Sequence, residues 1–86
     1  MTSPLLESHS RIRSREDFAV FVRALREDLK GNPQDWENDT LDRYLEAMSA
    51  WVENMNAYFL NQGRPTPEQP DWKLLGDILM AARIYE

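Results

Sequence analysis

Residues 40–61 read TLDRYLEAMSAWVENMNAYFLN, and this stretch decides the fold. Its apolar side chains recur three, four and seven residues apart, which is the spacing of one face of an α-helix. At about 1.5 Å per residue the stretch spans roughly 30 Å, enough for the longest element of a small domain. Thr40 suits the N-cap position, and Gly63 ends the helix. The apolar face contains Leu41, Tyr44, Leu45, Met48, Trp51, Val52, Met55, Tyr58 and Phe59.

One further helix is predicted on each side of this stretch. Ser14 is a candidate N-cap, and apolar residues follow helical spacing up to the stop signal at Gly31. Beyond three prolines in the segment 65–70, a strongly apolar helix follows. The sequence therefore predicts an all-α fold, a single small domain of three principal helices over about 15–30, 40–61 and 70–85. Residues 1–13 show no helical period and are predicted to be a flexible arm, so the helical domain covers 14–86.

The third predicted helix is apolar over most of its circumference, with a narrow polar stripe at Lys73, Asp77 and Arg83. A helix of this kind is buried on several sides. It either lies in the groove between the two other helices or contacts another chain. The sequence leaves both arrangements open, including a homodimer through this helix.

Composition excludes several kinds of site. The chain has no cysteine, which rules out disulfides, thiolate zinc sites and a cysteine nucleophile. The single histidine, His9, falls in the predicted arm and has no expected partner. We therefore expect no catalytic residue, no metal site and no cofactor, and the sequence favours a protein that is not an enzyme.

The expected location is the cytoplasm. The first ten residues lack the basic and apolar regions of a signal peptide, and no apolar run approaches the roughly 20 residues that cross a bilayer. A small domain without disulfides also suits a reducing compartment. No membrane contact is expected.

Negative charge is concentrated in the middle of the chain. The net charge is −5, and residues 31–61 carry six acidic side chains against one arginine. An acidic surface repels nucleic-acid phosphates. The expected partner is therefore another protein with a basic surface, and not a nucleic acid.

The candidate partner-binding residues lie in and before the central helix. A line of carboxylates follows the side of residues 40–61 that is opposite the apolar face, and an aromatic and an acidic residue precede it in the loop. Such a line is either a docking surface for a basic protein or an ordinary solvated face, and both interpretations remain open. The candidates are Trp36, Glu37, Asp39, Asp42, Glu46 and Glu53.

Several short motifs occur together in the chain. The segments 36–41 (WENDTL), 44–47, 70–72 and 79–86 (LMAARIYE), with Trp51 and Tyr58, resemble a family of small all-helical bacterial proteins without an assigned function, which has a WEN-x-TL motif and a C-terminal AA-x-x-YE. The resemblance covers about residues 16–86. It implies a bacterial, cytoplasmic, stand-alone domain, and it brings no catalytic residues with it.

The leading functional hypothesis is a non-enzymatic protein-interaction module that binds a basic protein surface, with an antitoxin-like or immunity role as one concrete version. The alternative is a small-molecule or peptide binder. Its pocket would lie between the helices predicted at 40–61 and 70–85. Trp36, Trp72, Tyr44 or Tyr58 would line that pocket.

Overall fold

A computed structural model describes residues 3–86, which form four α-helices and one short 3-10 helix, with no β-strand in that range. The all-α prediction is confirmed. The elements are α1 (Pro4–Ser10), α2 (Arg15–Gly31), a 3-10 turn (Pro33–Asp35), α3 (Leu41–Asn61) and α4 (Trp72–Ala82).

A side-chain hydrogen bond caps the N-terminus of each of the three longer helices. The Ser14 hydroxyl accepts a hydrogen bond from the Asp17 N–H at 3.1 Å, and the Thr40 hydroxyl accepts one from the Arg43 N–H at 3.2 Å. At α4 the Asp71 carboxylate accepts from the Leu74 N–H at 2.7 Å. Because Asp71 has extended backbone angles and acts as the N-cap, α4 begins two residues later than predicted.

Helix α4 lies at the centre of the packing. It contacts α1, α2 and α3, whereas no Cα of α2 comes within 8 Å of a Cα of α3. Two opposite sides of α4 therefore pack in two separate groups of buried side chains. The first group contains Leu5, Ile12, Phe21, Leu25 and Trp36, and the second contains Trp51, Phe59 and Leu74.

This placement covers the apolar surface of α4 within one chain. Leu74 and Ile78 pack toward α3, and Leu79 and Met80 pack toward the first group. Among the large apolar side chains of α4, only Trp72 is exposed. A homodimer through this helix stays a prediction.

The N-terminal segment differs from the predicted flexible arm. Over residues 3–13 the chain forms α1 and a turn, with Ser3 as N-cap and Pro4 in the first helical turn. Leu5 and Ile12 are buried in the first group, and Ile12 is 3% exposed. Leu5 lies in α1 and Ile12 lies two residues beyond its end, and both pack in the group that contains the fully buried Phe21. Met1 and Thr2 of the predicted arm lie outside the described residues.

Candidate functional site

Trp36 joins the loop after α2 to the end of α4. Its Nε1 donates a hydrogen bond to Oδ2 of Asp28 at 2.8 Å, and the guanidinium of Arg83 lies 5.8 Å from the ring centroid. The same Asp28 oxygen is 3.9 Å from Nη1 of Arg83. The buried indole N–H therefore has an acceptor, and that acceptor has a cation beside it. These contacts hold the ring in one position.

Asn38 closes the C-terminal end of α4. Its side-chain amide donates hydrogen bonds to the carbonyl oxygens of Ala82 and Tyr85, at 3.0 and 2.9 Å. Its backbone N–H donates to the Arg83 carbonyl at 2.9 Å. The last carbonyls of a helix find no N–H donor within the helix itself, so Asn38 satisfies groups that would otherwise depend on solvent. Trp36 and Asn38, two residues of the WEN segment, thus have structural roles.

Tyr44 connects α3 to the same region. Its ring stacks on that of Trp36, with centroids 5.7 Å apart and planes 28° from parallel, and its hydroxyl donates to the Leu79 carbonyl at 2.7 Å. Burial raises the pKa of the Tyr44 hydroxyl from its ordinary 10.0 to about 12, and the positive charge of Arg83 partly opposes that rise. The hydrogen bond from the protonated hydroxyl to the Leu79 carbonyl holds the Tyr44 ring beside Trp36.

Trp36 and Tyr44 form part of the wall of an open apolar cleft of about 350 Å³ between α2 and the start of α3, hereafter the α2–α3 cleft. The cleft exists because the backbones of α2 and α3 stay apart, with α4 below them. Its other apolar lining residues are Val22, Leu25, Leu29, Leu41 and Leu79.

The exposed apolar residues of α3 continue outward from this cleft. The predicted apolar face of α3 is confirmed at Trp51 and Phe59, which are buried. Four of its members are exposed instead: Leu41, Leu45, Val52 and Tyr58. The first three lie on the side of α3 that α2 does not reach, and we call them the α3 stripe.

The acidic candidates of α3 occupy its outer side. Asp42, Glu46 and Glu53, hereafter the acidic row, are all exposed. At 100° per residue, their directions fall within about 40° of one another and centre about 100° from the α3 stripe. No cation of residues 3–86 lies within 4.0 Å of a carboxylate of the row. The row therefore carries uncompensated negative charge beside exposed apolar surface.

The remaining acidic candidates are placed differently. Asp39 precedes α3, lines the α2–α3 cleft and lies 3.7 Å from the Arg43 guanidinium. Glu37 is exposed and, with Glu46, lines a second cleft of about 310 Å³ that also includes Glu86. The structure thus divides the predicted site, with Trp36 and Asp39 at the α2–α3 cleft and Glu37 on the other side of the loop with Glu46.

The four aromatic residues considered for a pocket do not meet. Trp72 packs against Phe18, with ring centroids 5.5 Å apart, and Tyr58 packs edge-on against Trp51 at 5.2 Å. Only Trp36 and Tyr44 share a cleft. That cleft lies between α2 and α3. Between α3 and α4, where the sequence hypothesis placed its pocket, Tyr58 lines a separate cleft of about 430 Å³ together with Trp51 and Ala81.

Comparison with known proteins places the chain in a family. A family of unknown function, DUF7660, matches residues 14–86. The chain belongs to this family. This result confirms the resemblance to a family without an assigned function. No curated protein and no solved structure matches the chain. The DUF7660 match includes α2, α3 and α4, and α1 lies outside it.

His9 has a partner that the sequence analysis did not expect. Its Nε2 is 2.8 Å from Oδ1 of Asp77 on α4, and Nζ of Lys73 donates to the His9 carbonyl at 2.9 Å. The expectation of an unpartnered histidine was wrong because α1 folds against α4. The missed signal is the spacing of Leu5 and His9, four residues apart, which places both on one side of a helical segment. These contacts fasten α1 to α4.

Metal-binding clusters and membrane-spanning helices are both absent from the described residues. Within residues 3–86 there is no cluster of three or more histidine, aspartate or glutamate side chains that could hold a metal ion. None of the helices in that range is long and apolar enough to cross a membrane.

Proposed function

We propose that this domain is a non-enzymatic protein-interaction module that binds a basic surface of another protein through the outer side of α3. The binding face comprises the acidic row and the neighbouring α3 stripe, with Glu37 at one end. An antitoxin-like or immunity role, in which the acidic domain covers a basic protein, is one version of this function. A bacterial and cytoplasmic setting remains part of the proposal.

The observation that carries the proposal is the adjacency of the acidic row and the α3 stripe. A line of carboxylates alone is typical of a solvated helix face. Here Leu41 is 72% exposed and Leu45 is 51% exposed, next to unpaired Asp42 and Glu46. Protein interfaces combine apolar contact with charge complementarity, and apolar patches on an otherwise polar surface often mark them.

Hydrogen bonds in the interior hold the elements that support α3. Among residues 3–86, no buried side-chain nitrogen or oxygen lacks a hydrogen-bond partner. Asp28, Asn38 and Tyr44 bond to other groups of the chain and hold the loop and α4 in place. These side chains form a rigid support for the face on α3.

The test is affinity capture from lysate with the wild-type domain and the Asp42→Lys/Glu46→Lys variant. A Glu16→Lys/Glu68→Lys variant is the matched control, because it makes the same change in net charge at exposed positions away from α3. We expect the wild type and the control to retain one basic protein, identified by mass spectrometry, that the Asp42→Lys/Glu46→Lys variant does not retain. Equal retention by all three would rule out the proposed face.

A second candidate function is supported by the α2–α3 cleft. Its apolar lining and the fixed rings of Trp36 and Tyr44 suit a small apolar ligand or a short peptide. A thermal-shift screen against a metabolite library tests this candidate, because a ligand that binds only the folded state raises the melting temperature. A hit on the wild type that is absent from a Val22→Glu variant would place the ligand in the cleft.

A further inference from the structure

The exposed apolar residues of α3 have the spacing of a helix–helix contact. Leu41, Leu45 and Val52 form the α3 stripe, and the half-buried Met48 lies between the last two. Successive members are four, three and four residues apart, which is the heptad spacing of paired helices. Among the helices of residues 3–86, only α4 has Cα atoms within 8 Å of α3, and it packs on the side of Trp51. Within this range the stripe therefore has no helix packed on it.

The size of this surface suits a weak dimer. Leu41 and Leu45 are more than half exposed, and Val52 is 39% exposed. Val22, which lies across the α2–α3 cleft from Leu41, is also 39% exposed. These four side chains expose roughly 350 Å² of apolar surface, the size of the largest apolar patch on a typical monomer. Since homodimer interfaces are about 65% apolar, two copies paired here would bury about 1,100 Å² in total, just above the roughly 1,000 Å² that a specific interface needs.

The charges around the stripe leave it open to a second copy. The acidic row is centred about 100° away around α3, so its carboxylates point away from a helix that covers the stripe. Repulsion between the rows of two copies is weakened by salt beyond about 8 Å at physiological ionic strength. On the α2 side, Arg26 lies 3.6 Å from the Glu27 carboxylate, so its charge is locally compensated. The stripe therefore favours an uncharged apolar helix face, and α3 of a second copy provides one.

We infer that the α3 stripe pairs with the α3 stripe of a second copy of this chain in a two-fold contact. In such a contact the same patch serves both copies, and a residue near the middle of the patch lies close to its own copy. Leu45 has this position between Leu41 and Val52. The contact goes beyond the proposed function, and the chain alone suffices to test it. Because the proposed binding face includes the stripe, the dimer and the complex with a basic partner exclude each other.

The first experiment measures the monomer–dimer equilibrium of the full chain by analytical ultracentrifugation up to about 500 µM. Leu41→Glu introduces a charge into the stripe. Leu60→Glu is the matched control, because Leu60 is 70% exposed on the same helix and points about 80° away from the stripe. We expect Leu60→Glu to dimerise like the wild type and Leu41→Glu to dimerise at least about tenfold more weakly. Salt at about 0.5 M should leave the wild-type dimer unchanged or tighten it, since the contact is apolar.

The second experiment locates the contact with a single introduced thiol. The chain has no cysteine, so Leu45→Cys and Leu60→Cys each report on one position. A disulfide between two copies requires Cα atoms within about 7 Å, which a two-fold contact through the stripe provides at position 45 and not at position 60. Under mild oxidation we expect Leu45→Cys to form a covalent dimer. Leu60→Cys should stay monomeric on a denaturing gel, although Leu60 is the more exposed residue.

Three results would overturn the inference. The first is a wild type that stays monomeric up to about 500 µM. The second is a dimer that Leu41→Glu does not weaken, because the contact then lies elsewhere, for example at the exposed Trp72 of α4. The third is equal crosslinking of Leu45→Cys and Leu60→Cys, which indicates random collision. None of these affects the proposed function, which fails separately if the Asp42→Lys/Glu46→Lys variant still retains the basic protein.

Discussion

Ile12 packs directly against the backbone of Gly76, where any other residue would carry its Cβ. Gly76 lies inside α4, and the absence of a side chain there lets the N-terminal segment approach the helix. His9 reinforces the contact one turn away through Asp77. Residues outside the DUF7660 match are thus built into the core that α2 and α4 share.

Gly76→Ala is expected to destabilise the domain. A Cβ at this position overlaps Ile12, and such overpacking costs about 1–3 kcal/mol. The gain in helix propensity offsets only about 1 kcal/mol of that loss. Urea denaturation of the wild type and the variant measures the difference in unfolding free energy.

Gly31→Ala is the control for the glycine substitution. Gly31 ends α2 with open space around its Cα, so alanine there should leave stability unchanged or slightly higher. Combining Gly76→Ala with Ile12→Ala should cost less than the sum of the single changes, because the second change removes the overlap. Additive losses would contradict direct contact between the two residues.

Asn38→Ala should destabilise the end of α4. The change leaves the carbonyls of Ala82 and Tyr85 without their donors, and loss of a partner for part-buried polar groups costs about 1–3 kcal/mol. Asn54→Ala is the matched control, since the Asn54 amide is exposed and bonds only within α3. Hydrogen exchange of α4 amides should accelerate in the first variant and not in the second. Equal exchange in both would contradict the role assigned to Asn38.

Tyr44 should make the domain less stable at alkaline pH. Its pKa is raised from 10.0 to about 12 in the folded state, so the folded state holds the proton more tightly than the unfolded state. That contribution is fully present below pH 10 and is lost as the pH rises toward 12. Unfolding free energies measured between about pH 9 and 11.5 should therefore fall in the wild type, and fall less steeply in Tyr44→Phe. A slope unchanged by Tyr44→Phe would exclude Tyr44 as its source.

The spacing of apolar residues was sufficient to predict the long helices, but it did not predict the N-terminal helix α1. The apolar spacing around Phe21 and Trp51 predicts α2 and α3 because each extends over several turns. α1 has seven residues, and only Leu5 and Ile12 of its segment are buried, so its pattern is too short to distinguish from a polar tail. Its burial depends on Gly76, which is more than sixty residues away in sequence.

The acidic residues of the candidate face were predictable from the sequence, but the exposed apolar residues beside them were not. The sequence places Asp42 and Glu46 opposite Trp51 on a helix, and the structure agrees. The exposure of Leu41 and Leu45 was not predictable, because it depends on α4 holding α2 away from α3. The separation of Glu37 from Trp36 likewise follows from the hydrogen bonds of Asn38, which a sequence pattern does not show.

The measurement closest to the central claim is the affinity of the captured protein for three forms of the domain. These forms are the wild type, Asp42→Lys/Glu46→Lys and Glu16→Lys/Glu68→Lys. We expect the variant on α3 to bind at least about tenfold more weakly than the other two, with the difference shrinking at high salt. Equal affinity of all three forms would contradict a binding face on the outer side of α3.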